Sequence, residues 1–270
     1  MPNFFHFYII YDMNIWEEKA VLRFGSIDKS DRLTLGATFG FIQEAAISHA
    51  AALGVSREAM AAVGQAWVLS RLSVFIEQRP RYGETVIIRT WPRGPEKLFS
   101  LRDYEISDSS GKALIRGRSG WLVIDMEKRR PQRNHPILGN LPVNEGLNAL
   151  VSGPVGLTAR ENLAPAGNHT AAYSDVDYFG HVNNVSYVRW VQDLTSQDLL
   201  VNANQMRLDI NYLNEVLPGE NVEFFTTQTD PGPLSVPNDY PSPVSAFFVY
   251  EGKKSSAERQ PVFRAELFLG

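Results

Sequence analysis

The chain carries one ordered pattern twice, and this repetition constrains its fold more than any bulk property does. FGSID at Phe24–Asp28 returns as YSDVD at Tyr173–Asp177, which sets Asp28 and Asp177 149 residues apart. At that spacing Phe41 falls on Trp190, Ile42 on Val191, and Gln43-Glu44 on Gln192-Asp193. A second pair follows in the same order. RLSVFIEQRPRYGETV (Arg71–Val86) returns as RLDINYLNEVLPGENV (Arg207–Val222) at a spacing of 136, with no gap. Arg71, Gly83, Glu84 and Val86 meet Arg207, Gly219, Glu220 and Val222. The spacing shortens because the first copy has extra residues around GVSREAMAAVGQ. Two matches in one order, flanked by segments of the same type, mark an internal duplication.

Each copy reads as a short strand, a loop with an aspartate, a helix and a run of strands. The opening strands are expected at Lys19–Phe24 and Thr170–Tyr173. The first helix is expected at about Ala37–Ala52, rich in alanine, a strong helix former. The second is expected at about Asn183–Leu200, where Val185, Val188, Val191 and Leu194 recur near helical period. WVLSRLSVFI, ETVIIRTW, LFSLRDYEIS and ALIRGRSGWLVID supply strands to copy one, and MRLDINYL, ENVEFFTT, SAFFVYEG and PVFRAELFLG to copy two. One helix followed by antiparallel strands is an α+β arrangement in which the sheet buries one face on the helix. Prolines and glycines break up Arg130–Asn168, with NEGLNALV as a candidate short helix. This gives units at 1–138 and 168–270 with a linker at 139–167. DPGPLSVPNDYPSP (Asp230–Pro243) reads as a long loop.

Composition narrows the function classes. A net charge of −4 gives no bulk signal for nucleic acid. The chain has no cysteine, which removes disulfides, thiolate zinc sites and cysteine nucleophiles together. The apolar start MPNFFHFYIIYDMNIW lacks a basic leader and a cleavage site and is too short to span a bilayer. It reads as a ragged extension, with Met13 as an alternative start, and the expected location is cytoplasmic.

The duplication serves as an internal control for chemistry. Asp28 matches Asp177, but Arg32 stands opposite His181 and Arg79 opposite Glu215. Only copy two therefore assembles an acid, an imidazole and a second carboxylate, the usual material of general acid–base hydrolysis near neutral pH. His181 follows Gly180 at the expected start of a helix, where free N–H groups favour a developing oxyanion. Gly180 permits close approach of a carbonyl. Taken singly, each residue also has a structural reading. Asp177 stabilises a helix start, His181 is a hydrogen-bonder, Glu215 lies on a surface, and Asn183 and Asn184 are cap residues. Tyr187 and Trp190 read as core. His6, His49, His135 and His169 show no partner pattern.

YSDVDYFGHVNNVSYVRWV resembles the signature loop and helix of the acyl-ACP thioesterases, and the resemblance extends over nearly the whole chain. FIQEAAISHAAALG is similar to the family's first central helix, WVLSRLSVFIEQRPRYGETVIIRTWPRG to its next two strands, and GRSGWLVIDMEKRRPQR to the strand and basic turn that close the first unit. LDINYLNEVLPGENV is similar to the strand that brings in a carboxylate. The resemblance implies an α+β tandem (double) hot-dog fold and hydrolysis of fatty acyl-ACP to free fatty acid and holo-ACP, with no metal or redox cofactor. It places the catalytic aspartate, histidine and glutamate on Asp177, His181 and Glu215; the residues beside them add Gly180 and Asn183 as candidate substrate or oxyanion contacts. It also places the acyl pocket largely in copy one. One position departs: the family usually has asparagine where this chain has Phe179. Val216 stands where plant members often carry cysteine.

The implied partner, acyl carrier protein, is acidic, so a basic docking surface is expected. Lys128, Arg129, Arg130 and Arg133 form the densest basic cluster, whose plainer reading is a solvated turn. Whether Glu215 activates water or Asp177 attacks directly is open at this level. An acyl-CoA thioesterase, a dehydratase acting on 3-hydroxyacyl thioesters and a non-hydrolytic acyl-binding module are the rival readings. Monomer and homodimer are both compatible with a fused pair.

Overall fold

A computed structural model describes residues 13–132, 139, 141–229, 239–256 and 258–270. The expectations for residues 1–12, for Arg133 and for 230–238 of the long loop fall outside these. The chain divides into two compact units, one of residues up to Leu69 with Gln78–Leu150, the other of Ser70–Glu77 with Val151–Gly270.

The first unit holds β1 (Trp16–Val21), α1 (Leu35–Ala52), α2 (Arg57–Ala62), β2 (Gln65–Ile76), β3 (Thr85–Glu96), β4 (Phe99–Asp108), β5 (Ala113–Asp125) and β6 (Arg130–Gln132). The strand order is β1-β3-β4-β5-β2, with β6 on β5. The Thr34 hydroxyl accepts the Ala37 N–H at 3.1 Å and so caps α1. Phe39, Ile42, Ala45 and Ala46 of α1 are buried, as are Ile88, Ile106 and Ile115, which share one line across β3, β4 and β5. β1 begins three residues before its expected start.

A polar contact lies inside this core. His49 of α1 is 1% exposed. Its Nδ1 lies 3.0 Å from Arg102 Nη1, and its Nε2 lies 3.1 Å from the Met13 carbonyl. A guanidinium only donates, so Nδ1 accepts, Nε2 carries the proton, and the ring is neutral. Burial first, and the Arg102 charge second, push its pKa down to about 4. The unfolded chain takes up this proton near pH 6.5 and the folded chain only near 4. His49 therefore leaves stability intact above pH 6.5, and stability falls as pH drops through the window between the two values. The expected loss is on the order of 3 kcal/mol. Urea unfolding at several pH values should show this slope, and His49→Gln should flatten it; a wild type equally stable at both ends of the window would contradict the assignment.

The second unit continues from Ser70–Glu77, which includes the end of β2, through β7 (Ala164–Thr170), α3 (Asn184–Leu194), α4 (Gln197–Asn202), β8 (Met206–Tyr212), β9 (Asn221–Thr229), β10 (Ala246–Lys254) and β11 (Pro261–Leu269). The strand order is β2-β8-β11-β10-β9-β7. α3 buries Val185, Val188 and Val191, and places Trp190 5.6 Å from Phe224 of β9 and Tyr187 5.7 Å from Phe263 of β11. The single helix expected over Asn183–Leu200 is instead two. Extended backbone at Thr195 ends α3, with the Thr195 hydroxyl on the Val191 carbonyl (2.7 Å) and on Tyr250 Oη (2.7 Å). NEGLNALV is not helical. Asp103 accepts the Ala149 N–H and Arg118 donates to Asn148, which hold the segment open. β7 precedes the strand expected at Thr170–Tyr173 and begins inside the stretch read as linker.

The duplication is visible bond by bond. Asp28 N–H donates to the Arg32 carbonyl and Asp177 N–H to the His181 carbonyl, both at 2.9 Å. Leu33 N–H reaches the Pro80 carbonyl, and Val182 N–H the Val216 carbonyl, again at 2.9 Å. Thr34 donates to Ser26, and Asn183 to Asp175. Arg81 N–H meets the Glu84 carboxylate, and Leu217 N–H the Glu220 carboxylate. One backbone thus recurs in both units while the side chains on it differ.

Candidate functional site

In each unit two loops meet ahead of the long helix. In the second, the loop Asp177–Asn183 is joined to the turn after β8 by the Val182–Val216 bond. Asp177 forms an Asx turn: its Oδ1 accepts the Phe179 N–H at 2.8 Å. Its carbonyl accepts the Gly180 N–H at 3.0 Å. Gly180 sits at φ +82°, which its lack of a Cβ permits. Asn183 is the N-cap of α3, its Oδ1 accepting the Val185 N–H at 2.9 Å.

His181 therefore stands two residues before the cap rather than in the helix. Its Nε2 comes 3.5 Å from Glu215 Oε2, long for a direct hydrogen bond. The two side chains are 44% and 50% exposed, so water reaches both. The amides of Asp177, Phe179, Gly180, Val182 and Asn183 are bonded within the scaffold. The His181 amide has no acceptor among the described residues.

The corresponding place in the first unit is filled differently. Arg79, 3% exposed, donates to Asp28 Oδ2 at 2.7 Å, and Ser30 donates to the other oxygen. Burial raises the Asp28 pKa, but the hydrogen bonds from Ser30 and Arg79 outweigh it and hold the carboxyl below its ordinary value. Arg79 is the counterpart of Glu215. The same scaffold thus holds a closed ion pair in one unit and an open imidazole–carboxylate pair in the other.

Sequence reasoning overlooked His169. Its Nε2 lies 2.7 Å from Asp175 Oδ2, which also accepts the Ala172 N–H at 2.8 Å. Burial raises the Asp175 pKa, and hydrogen bonds from His169, Ala172 and Trp190 bring it below its ordinary value. This clamp braces the turn that leads into the Asp177 loop. A histidine six residues before an aspartate was the only signal for it. Lys128 and Arg129 lie exposed on the turn joining β5 to β6, and Arg130 lies exposed at the start of β6, with Lys128 Nζ 4.0 Å from Asp125. Among the described residues no three His, Asp or Glu side chains are grouped to hold a metal ion, and no helix is long and apolar enough to cross a membrane.

Comparison with known proteins bears on this geometry. The acyl-ACP thioesterase N-terminal domain matches residues 13–137, and the acyl-ACP thioesterase C-terminal domain matches residues 164–247. The chain is 24% identical over 231 residues to oleoyl-acyl carrier protein thioesterase 1, chloroplastic, of Arabidopsis thaliana, covering 79% of this chain and 64% of that protein. It is 24% identical over 242 residues to a palmitoyl-acyl carrier protein thioesterase, chloroplastic, of Gossypium hirsutum, covering 82% and 57%. The chain thus spans about three fifths of the length of these relatives. An acyl-ACP thioesterase from Bacteroides thetaiotaomicron superposes with a TM-score of 0.78 at 24% identity, covering 95% of this chain and 98% of that one. The 12:0-ACP thioesterase from Umbellularia californica gives 0.77 at 18% identity, covering 97% and 98%. These two likenesses show a common fold, the tandem hot-dog.

Proposed function

Because this chain belongs to the acyl-ACP thioesterase family, we propose that it hydrolyses fatty acyl-ACP thioesters to free fatty acid and holo-ACP, with its chemistry in the second unit. One observation carries the assignment of the site: His181 and Glu215 face each other at 3.5 Å, beside a His181 amide that has no acceptor among the described residues. The thioester oxygen lies against the His181 N–H, a backbone donor fixed before the reaction begins. Water between the imidazole and the Glu215 carboxylate loses its proton to this pair as it attacks the carbonyl carbon. The tetrahedral oxyanion collapses, the C–S bond breaks, and the proton passes to the leaving thiolate. Asp177 acts as a positioning residue, since one of its oxygens closes the turn that aims His181. Gly180 lets the carbonyl approach, and Asn183 fixes the start of α3. No metal or redox cofactor enters this route.

The carrier is an acidic protein, and the exposed Lys128–Arg130 turn offers it complementary charge. A cytoplasmic setting completes the proposal and suits a chain without cysteine. Thiol release from matched acyl-ACP and acyl-CoA panels tests the reading. Faster release from the ACP series supports it. Equal or faster release from CoA would move the substrate class, and enoyl product without thiol would replace hydrolysis with dehydration.

A further inference from the structure

The two units share a backbone around their loop pairs, so the side chains that differ there report what the second unit has acquired. Four exposed positions next to His181 and Glu215 change together. Tyr178, Phe179, Leu213 and Leu217 are 75%, 48%, 38% and 41% exposed. Their counterparts in the first unit are Lys29, Ser30, Glu77 and Arg81, every one polar or charged. The correspondence follows from the matched bonds: Phe179 and Ser30 both donate N–H to the loop aspartate, and Leu217 and Arg81 both donate N–H to the turn glutamate. Tyr173, 98% exposed, is a useful contrast. Its counterpart Phe24 is also aromatic and 84% exposed, so that position distinguishes nothing.

Tyr178 and Phe179 lie on the His181 loop with their ring centroids 5.1 Å apart. Leu213 and Leu217 flank Glu215 on the facing turn. The Val182–Val216 bond ties the two segments together. Four large apolar side chains thus stand in solvent around the catalytic pair, at positions where the other copy of the scaffold is hydrophilic. Single exposed apolar residues need no explanation, whereas a cluster bordering a site does.

We propose that these four side chains form a lip that holds the pantetheine arm of the substrate. The inference rests on the thioesterase reading given above. It commits to the arm because of where the lip lies. The acyl chain requires an interior space, while the arm joins the thioester to a carrier that remains in solvent. The arm is uncharged along its amide-bearing length, and its flat amides and geminal methyls suit aromatic faces and leucine side chains. The carboxylates on these segments are Asp177, Glu215 and Glu220; Lys254 at 2.8 Å is taken up by Glu220, and the balance left is negative, so an anionic group is not what this surface recognises.

The experiment compares matched acyl thioesters of pantetheine and of ethanethiol with wild type and with a variant carrying the first unit's residues, Tyr178→Lys, Phe179→Ser, Leu213→Glu and Leu217→Arg. The same loop already carries those residues in the first unit, and each half of the set is also tested alone in case the whole fails to fold. The expected result is at least a tenfold fall in the ratio of kcat/KM for the pantetheine thioester over the ethanethiol thioester. A non-hydrolysable S-alkyl pantetheine thioether, followed by calorimetry, gives a readout independent of turnover and should bind the variant at least tenfold more weakly. Weaker binding with no hydrolysis even by wild type would keep the lip and overturn the thioesterase reading. An unchanged ratio together with equal binding of the thioether would overturn the lip. So would a variant whose only change is its sedimentation, which would make the patch a contact between copies of the chain.

Discussion

Glutamine at Glu215 is expected to lower kcat for acyl-ACP by between roughly a hundredfold and ten-thousandfold, the range set by loss of a general base. The side chain is half exposed, so stability should change by less than about 0.5 kcal/mol. His181→Gln should lose a similar factor. The double substitution should be little worse than either single one, because the two groups act on one water and their losses do not add. Initial rates of thiol release at saturating substrate, with urea midpoints for each variant, provide the check. A fall of less than tenfold at Glu215 would remove it from the chemistry.

The second large effect is on stability. Arg207 of β8 is completely buried. It lies 3.0 Å from Asp209 and 3.2 Å from Asp239, donates to the Asp239 carbonyl at 3.1 Å, and stacks over the Tyr240 ring at 4.1 Å. The Ser152 hydroxyl donates to Asp239 in turn, so this cluster fastens the segment entering the unit to the segment before β10. Arg207→Met leaves Asp209 and Asp239 buried without their cation and should cost about 3–5 kcal/mol. Urea unfolding measures it, and Arg207→Met with Asp209→Asn should recover part of the loss by removing one stranded charge. A single substitution costing less than about 1 kcal/mol would show that the cluster relaxes.

Much of this architecture was legible because duplication turns one sequence into its own comparison. The sequence pairs Asp28 with Asp177 and Arg71–Val86 with Arg207–Val222, and the hydrogen bonds of the two loops repeat these pairings. Apart from His169, whose partner Asp175 lies six residues on, the residues missed or misread here have partners distant in sequence. Val185, Val188, Val191 and Leu194 carry a helical period past which nothing local announces a stop; α3 ends where Thr195 meets Tyr250, 55 residues on. NEGLNALV has helix-forming residues, but Asp103 and Arg118 take up its polar groups. His49 looked unremarkable because Arg102 and the Met13 carbonyl are brought to it only by the sheet.

The site was partly legible for the same reason. The contrasts Arg32 against His181 and Arg79 against Glu215 are in the sequence, while the closed Arg79–Asp28 pair and the His181 amide without an acceptor among the described residues are properties of the folded loops. Asp177 gains a plainer role once Asp28 is seen making the same turn in a unit without the histidine.

The central claim is that one scaffold is catalytic in the second unit and silent in the first. The most direct test is the rate of thiol release from acyl-ACP by two folded variants, Glu215→Gln and Arg79→Gln. The account predicts at least a hundredfold loss for the first and less than a threefold change for the second. Comparable losses in both, or none in the first, would contradict it.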